Sequence, residues 1–145
     1  MPDAAIGVDA LIGFPGESES AFKNTYKLIE KLPISYLHVF PFSARPGTKA
    51  ANLADKVDAG IIKDRCERMR ILGNENRMKF YQAFVGQVLS ILIETEREAS
   101  TNFLKGISSN YLPVLIDAED KLKNKIVDVQ IQKLEGMKLF GNNTV

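Results

Sequence analysis

The stretch that decides the fold is Ile6-Gly-Val-Asp-Ala-Leu-Ile-Gly-Phe-Pro-Gly-Glu17. A mostly apolar run from Ile6 to Gly13, stopped by Gly-Phe-Pro-Gly, has the pattern of a buried strand entering a turn. A helix is expected directly after it. Ser18 or Ser20 can cap that helix, Glu17 and Glu19 suit its positive N-terminal end, and Phe22, Thr25, Tyr26, Ile29 and Leu32 fall on one face at helical spacing. Pro33 stops it. Tyr36 to Phe40 is a second apolar run, so the opening reads strand, helix, strand, with a connection long enough for a parallel crossover.

Working outward, Pro41 to Leu53 carries prolines and a glycine that exclude regular helix or a central strand, and a structured loop at the strand's C-terminal end is expected there. From about Asp58 to Phe84, Ile62, Cys66, Met69, Leu72, Phe80 and Phe84 recur at helical spacing, which predicts one long helix, with Gly73 as a point where it can bend. After Gly86 the period changes to two. Val88 to Glu94, Asn110 to Ile116 and Ile126 to Leu134 read as strands, the last with Val127, Val129 and Ile131 on one side and Asp128, Gln130 and Gln132 on the other. Turns at Gly106, Asp117 to Asn124 and Glu135-Gly136 complete the pattern of a small β-barrel. The fold class is therefore α/β followed by all-β. The domain boundary is expected at Val85 to Gly86, giving domains 1–85 and 86–145.

The chain of 145 residues is long enough for a real core. Nineteen Lys and Arg against eighteen Asp and Glu give a net charge of +1, too little for long-range attraction of a polyanion. A local patch remains open, with Lys121, Lys123 and Lys125 close together and Lys105, Lys133 and Lys138 able to join them; a solvated lysine face is the competing reading. No apolar run reaches the roughly 18 residues of a membrane helix and no leader pattern is visible, so the expected compartment is the cytoplasm, with no membrane partner. The single cysteine, Cys66, excludes an internal disulfide framework and cannot by itself supply the three or four ligands of a zinc or iron-sulfur site. It reads as a small buried apolar residue, and no metal site is expected.

Gly13-Phe14-Pro15-Gly16-Glu17 is a strand-to-helix turn where backbone amides can meet a ligand. No Lys-Ser or Lys-Thr follows its glycines and the three-glycine dinucleotide spacing is missing, so alone it is a weak signal. Three segments together say more: Ile12-Gly-Phe-Pro-Gly-Glu17, Leu37-His-Val-Phe-Pro-Phe-Ser43 and Arg45-Pro-Gly-Thr-Lys-Ala-Ala51. In order and spacing they resemble the late barrel strands of the radical S-adenosylmethionine methylthiotransferases. Gly86 with Val88 to Glu94, then Gly106-Ile-Ser-Ser-Asn-Tyr111, then Asn124-Lys-Ile-Val127, look like the TRAM domain that ends these enzymes. The resemblance covers nearly the whole chain. The wording Leu-His-Val-Phe-Pro-Phe-Ser before Arg-Pro-Gly-Thr is most similar to the branch acting on threonylcarbamoyladenosine in tRNA, ahead of those acting on isopentenyladenosine or on a ribosomal protein.

The resemblance implies the C-terminal strand-helix-strand part of a TIM-like radical barrel, a long helix and a TRAM-type β-barrel. It implies a transferase that uses S-adenosylmethionine and two [4Fe-4S] clusters to insert a methylthio group at C2 of the adenine near the anticodon. The cluster cysteines lie in regions absent here, so this chain is expected to be an inactive C-terminal fragment with no catalytic residue and no bound cofactor. Its expected partners are tRNA, through the TRAM domain, and the missing N-terminal cluster-binding region. By resemblance, Gly13, Phe14, Pro15, Gly16, Glu17, Phe40 and Pro41 shape the S-adenosylmethionine pocket. Ser43, Arg45, Lys105, Asn110, Tyr111 and Lys125 are the expected substrate or RNA contacts. Arg45 is equally suited to bridge its loop to a helix, and Tyr111 equally suited to core packing. His38, the only histidine, sits in an apolar strand and reads as a barrel-interior or helix-facing residue rather than an acid-base group. A stand-alone RNA-binding module and a scaffold that lost its chemistry are the alternatives. Two strands cut from a barrel leave edges and apolar faces uncovered, which predicts a homo-oligomer.

Overall fold

The computed structural model describes residues 3–144; Met1, Pro2 and Val145, the outer ends of the two expected domains, lie outside the described residues. The chain divides into two compact units, residues 5–77 and residues 78–144, with Asp3 and Ala4 in the second. The division falls inside the long helix, upstream of Val85–Gly86, because the helix's last turn with the buried Tyr81, and Phe84 just after it, belong to the β-rich unit.

In the first unit, β1 (Gly7–Ile12) and β2 (Tyr36–Pro41) pair in parallel around α1 (Glu19–Lys31). Ser18 is the N-cap, its side chain accepting from the amide of Ala21. Only Phe22 and Ile29 of the expected apolar face of α1 are fully buried, with Tyr26 partly so; Thr25 and Leu32 are exposed. The strands alternate cleanly. Ala10, Ile12 and Leu37 point into a core with Phe22, Ile29, Cys66, Met69 and Leu72, while Asp9, Leu11, His38 and Phe40 lie on the opposite, exposed face. His38, expected against a helix or inside a barrel, is exposed on the face away from the helices, which excludes the helix-facing position and is the face that a parallel α/β barrel turns inward, with Asp9 as its cross-strand neighbour.

The second helix, α2 (Ala59–Gln82), runs unbroken through Gly73. Asp58 caps it, accepting from the amides of Gly60 and Ile61. Gly73 marks close packing rather than a bend: a Cβ there would stand 2.9 Å from the Cβ of Leu37.

The second unit is a closed barrel of five strands: β3 (Val88–Arg97), β4 (Leu104–Ser108), β5 (Pro113–Ile116), β6 (Ile126–Glu135) and β7 (Lys138–Asn143), in the order β3-β4-β5-β7-β6. All pairs are antiparallel except β5 with β7. Ile91, Ile93, Leu104, Leu112, Val114, Ile116, Val129, Ile131 and Leu139 fill the interior. Two of these strands differ from the sequence reading. Gly106, expected as a turn, lies in β4, where a Cβ would meet Ile91 Cγ2 at 2.4 Å; Gly141 in β7 faces Val129 Cγ1 in the same way. Both let a strand cross close over its neighbour. The segment Asn110–Leu112, expected as strand, is a turn. The alternation of β6 breaks at a register shift between Ile131 and Lys133, which turns Lys133 outward and brings Leu134 partly inward.

Candidate functional site

The first candidate surface is the C-terminal end of β1 and β2. Register pairs Leu11 with Phe40 and Ile12 with Pro41, and the amide of Phe42 donates to the carbonyl of Ile12 at 2.7 Å. Phe14 and Phe42 then meet edge to face with centroids 5.3 Å apart. The result is an apolar shelf: Leu11 and Phe40, each about half exposed, on the sheet face opposite the helices, and Phe14, 42 % exposed, in the turn just beyond β1. Large apolar side chains gathered on one exposed face are the mark of a surface built to be covered by a ligand or by more protein.

The turn after β1 is fixed from below. Gly13 and Gly16 take positive φ values of 85° and 86°, a region that favours glycine. At Gly13 there is no room for a side chain either, since Ile62 of α2 would touch its Cβ at 2.4 Å. The Oε2 of Glu17 accepts from the Gly13 amide at 2.9 Å and from Nη1 of Arg65 at 2.9 Å, and Nη1 also donates to the Glu17 carbonyl. Glu17 thus builds the turn from within. The long loop joins the same construction through the amide of Gly16, which donates to the carbonyl of Asp55 at 2.9 Å. Within that loop Thr48 caps a short 3₁₀ helix, Lys49–Asn52. Ser43 and Arg45 are exposed, and the Arg45 guanidinium makes no hydrogen bond or ion pair among the described residues, so it does not bridge the loop to a helix.

Arg65 is the residue that sequence reasoning missed. It is 4 % exposed and its guanidinium lies 5.3 Å above the ring of Phe22. The signal was present: Arg65 sits three residues after Ile62 and four before Met69, on the apolar stripe of α2, where an arginine needs a buried partner.

The second candidate surface is on the barrel. The β4–β5 turn is pinned by Ser108, whose hydroxyl accepts from the amide of Leu112 and donates to Asn110 Oδ1. The Asn110 amide nitrogen donates one hydrogen to the carbonyl of Asp3, so Asn110 helps to shape the turn. Tyr111 takes φ +63° and is 70 % exposed, which removes it from the core. Lys105 flanks a shallow groove floored by Ile107, Pro113 and Leu115 and is paired with Glu96 at 3.1 Å. Lys125 lies across β3, its carbonyl accepting from the amide of Ile93.

The lysines do not make a basic patch. Lys121 pairs with Glu119, Lys123 with Asp120, Lys133 with Glu135 and Lys138 with Glu98. From Gly86 onward the sequence holds seven Lys and Arg against eight Asp and Glu. Such exposed pairs are weak and can open to admit a phosphate, but they leave no standing positive field.

Among the described residues no three His, Cys, Asp or Glu side chains gather as a metal site, and no helix is long and apolar enough to cross a membrane. Burial pushes the Cys66 thiol up from its ordinary value, which disfavours the thiolate that a cluster needs.

No protein-family model matches the chain. Among curated proteins, it is 36 % identical over 138 residues to the threonylcarbamoyladenosine tRNA methylthiotransferase MtaB of Bacillus subtilis, covering 92 % of this chain and 30 % of that one. It is 39 % identical over 104 residues to MtaB of Aquifex aeolicus, covering 71 % and 25 %. It is 33 % identical over 141 residues to the tRNA-2-methylthio-N(6)-dimethylallyladenosine synthase of Wolbachia pipientis, covering 97 % and 32 %. The chain thus spans about a third of the length of the curated relatives it matches.

Proposed function

We propose, for a chain that belongs to the radical S-adenosylmethionine methylthiotransferase family, that it supplies one wall of the substrate pocket and the RNA-contacting barrel of a tRNA methylthiotransferase. The observation that carries this reading is the exposed shelf of Leu11, Phe14 and Phe40 at the C-terminal ends of two parallel strands, where parallel α/β barrels hold their ligands. In this reading residues 5–77 are the late part of a radical barrel and residues 78–144 a TRAM domain. The substrate is N6-threonylcarbamoyladenosine near the anticodon, supported by the two relatives named for that nucleoside, which have the higher identities of the three compared.

The chain's own residues fit part of the cofactor chemistry. An adenine ring can lie against the Phe14–Phe42 pair and Leu11, and S-adenosylmethionine held there would supply radical chemistry once a cluster borne by other residues of the enzyme gave it an electron. The clusters do not fit: the only cysteine is buried in a helix with its thiol pushed up. The chain alone is therefore inactive, and it acts with cluster-binding residues that it does not itself contain. Arg45, exposed and without an ion pair among the described residues, is the phosphate or carboxylate contact, with Ser43 close to it on the same loop; Tyr111, Lys105 and Lys125 meet the tRNA from the barrel. A stand-alone RNA binder is not favoured, since the barrel has no excess of positive charge.

The test is to express the whole enzyme carrying this sequence in cells that lack methylthiolated tRNA and to digest that tRNA for mass spectrometry. The methylthio form of threonylcarbamoyladenosine is expected, and the isopentenyladenosine form would place the chain in the sister branch. Stoichiometric iron on the purified 145-residue chain, or cleavage of S-adenosylmethionine by it, would overturn the claim that it is inactive alone.

A further inference from the structure

The buried pair of Arg65 and Glu17 is an odd way to stabilise a core. Both side chains are nearly sealed, at 5 % and 13 % exposed. The Nε of Arg65 is also buried and has no partner among the described residues. A buried ion pair typically stabilises no more than apolar side chains of the same volume would, and an orphaned donor costs further. What such a pair does supply is one fixed geometry. Here that geometry is imposed on a single peptide, because the carboxylate oxygen held by Arg65 is the one that accepts the Gly13 amide.

We infer that Arg65 is a positioning residue: through Glu17 it locks the Gly13–Glu17 turn and so sets the rim of the ligand shelf. Three contacts converge on this. Nη1 grips the backbone and the side chain of Glu17 at once. Ile62, one turn earlier on α2, fills the space where a Gly13 side chain would be. Nη2 reaches Glu19 in the first turn of α1 at 3.3 Å, so one guanidinium orders the end of β1, the turn and the start of α1. If the turn loosens, Phe14 loses the backbone that presents it to Phe42. The inference rests on the proposed function only for the identity of the ligand; the locking of the turn does not depend on it.

Amide exchange on the isotopically labelled 145-residue chain separates locking from plain stability. Arg65→Met keeps the length and removes the guanidinium. The Gly13 amide should then exchange about tenfold faster relative to the amides of β1, since a Glu17 carboxylate left without its buried partner is driven out of the turn toward water. Arg65→Lys should recover part of that protection. If Arg65→Met does not fold, Glu17→Gln keeps an oxygen for the Gly13 amide while losing the charge, and a smaller selective acceleration at Gly13 is expected. Equal acceleration in the turn and in β1 in the variants that fold would mean Arg65 only stabilises the core, and the inference fails. In the whole enzyme, Arg65→Lys should weaken S-adenosylmethionine binding several-fold at unchanged iron content. Unchanged affinity despite a loosened turn also overturns the positioning role. A wild-type enzyme that does not bind S-adenosylmethionine at all sinks the proposed function instead, and leaves the exchange result to decide Arg65.

Discussion

The two halves of this chain solve the problem of exposed strand edges in opposite ways. In residues 78–144 every strand has two neighbours, the sheet closes on itself, and its inner face is filled by side chains such as Ile91, Ile131 and Leu139. In residues 5–77 two parallel strands each have one neighbour among the described residues, and only one face of the pair is covered. The barrel completes its core from its own sequence and keeps its function for the surface. The open pair buries what stability requires on the helix side, and leaves Leu11 and Phe40 for something else to cover.

The largest effect expected from this contrast is in the core. Phe22, fully buried between the strands and α2 and stacked under Arg65 and Arg68, is the central side chain of the open unit. Phe22→Ala should cost about 3–5 kcal/mol, enough to leave residues 5–77 without fixed packing, read as lost amide protection across β1 and β2. Leu139→Ala in the barrel, costing about 2–5 kcal/mol, should lower the protection of β3 to β7 without abolishing it, because closure keeps every strand paired. Equal collapse in both units would erase the comparison.

The open face sets the next effect. The chain should self-associate at moderate concentration, seen by light scattering, and Leu11→Lys should shift it toward monomer by placing a charge amid the shelf. A wild-type chain that is strictly monomeric would show that the shelf is tolerated bare.

Much of this was legible in the sequence, and the losses have physical reasons. The apolar run at Val8 to Ile12 and the Gly-Phe-Pro-Gly stop gave β1 and its turn because burial and backbone constraint speak together there. The strand β4 was lost because Gly106 reads as a turn when its actual cause, a neighbour 2.4 Å from the missing Cβ, lies in another strand; β7, with Gly141 packed as closely, was not read as a strand at all. The hydrogen bond from the Asn110 amide to Asp3 joins residues far apart in sequence and was not visible in either segment. Lysine clustering was visible, whereas the pairing of five of the six lysines with carboxylates became evident only in three dimensions.

A smaller effect tests how the barrel's connecting turns are held. Lys138 first, then Ser100 and Thr101, hold the Glu98 carboxyl well below the usual carboxylate range. The amides of Ser100 and Thr101 donate to its Oε2 at 2.9 and 2.7 Å. A carboxyl lowered in the folded state contributes stability that is present above its unfolded value of about 4.3 and is lost as pH falls toward the folded value. The barrel's Tm should therefore decline on acidification below about pH 5. Glu98→Gln should lower Tm at neutral pH and flatten that decline; an unaltered acid limb would mean the decline comes from other carboxylates, such as Asp120, which Lys123 and Arg97 also hold low.

The smallest effect in stability bears most directly on function. Among the described residues four non-glycine positions have positive φ, and three of them, Asp55, Asn102 and Asn124, are of types that tolerate it. Tyr111 is the exception. The left-handed conformation costs a bulky residue roughly 1–2 kcal/mol, and glycine gives back about 0.5–1 in backbone entropy, so Tyr111→Gly should stabilise the barrel by about 0.5 kcal/mol. Fold stability alone thus favours another residue at the tip of this turn, where 70 % of the tyrosine faces solvent. A ring held out on a strained backbone fits a base-stacking role, worth about 1–3 kcal/mol per base. Tyr111→Gly in the whole enzyme should then raise the barrel's Tm slightly and weaken tRNA binding roughly tenfold or more. A gain in Tm with tRNA affinity unchanged would leave the strain at Tyr111 without a functional cause and move the RNA contact elsewhere on the barrel.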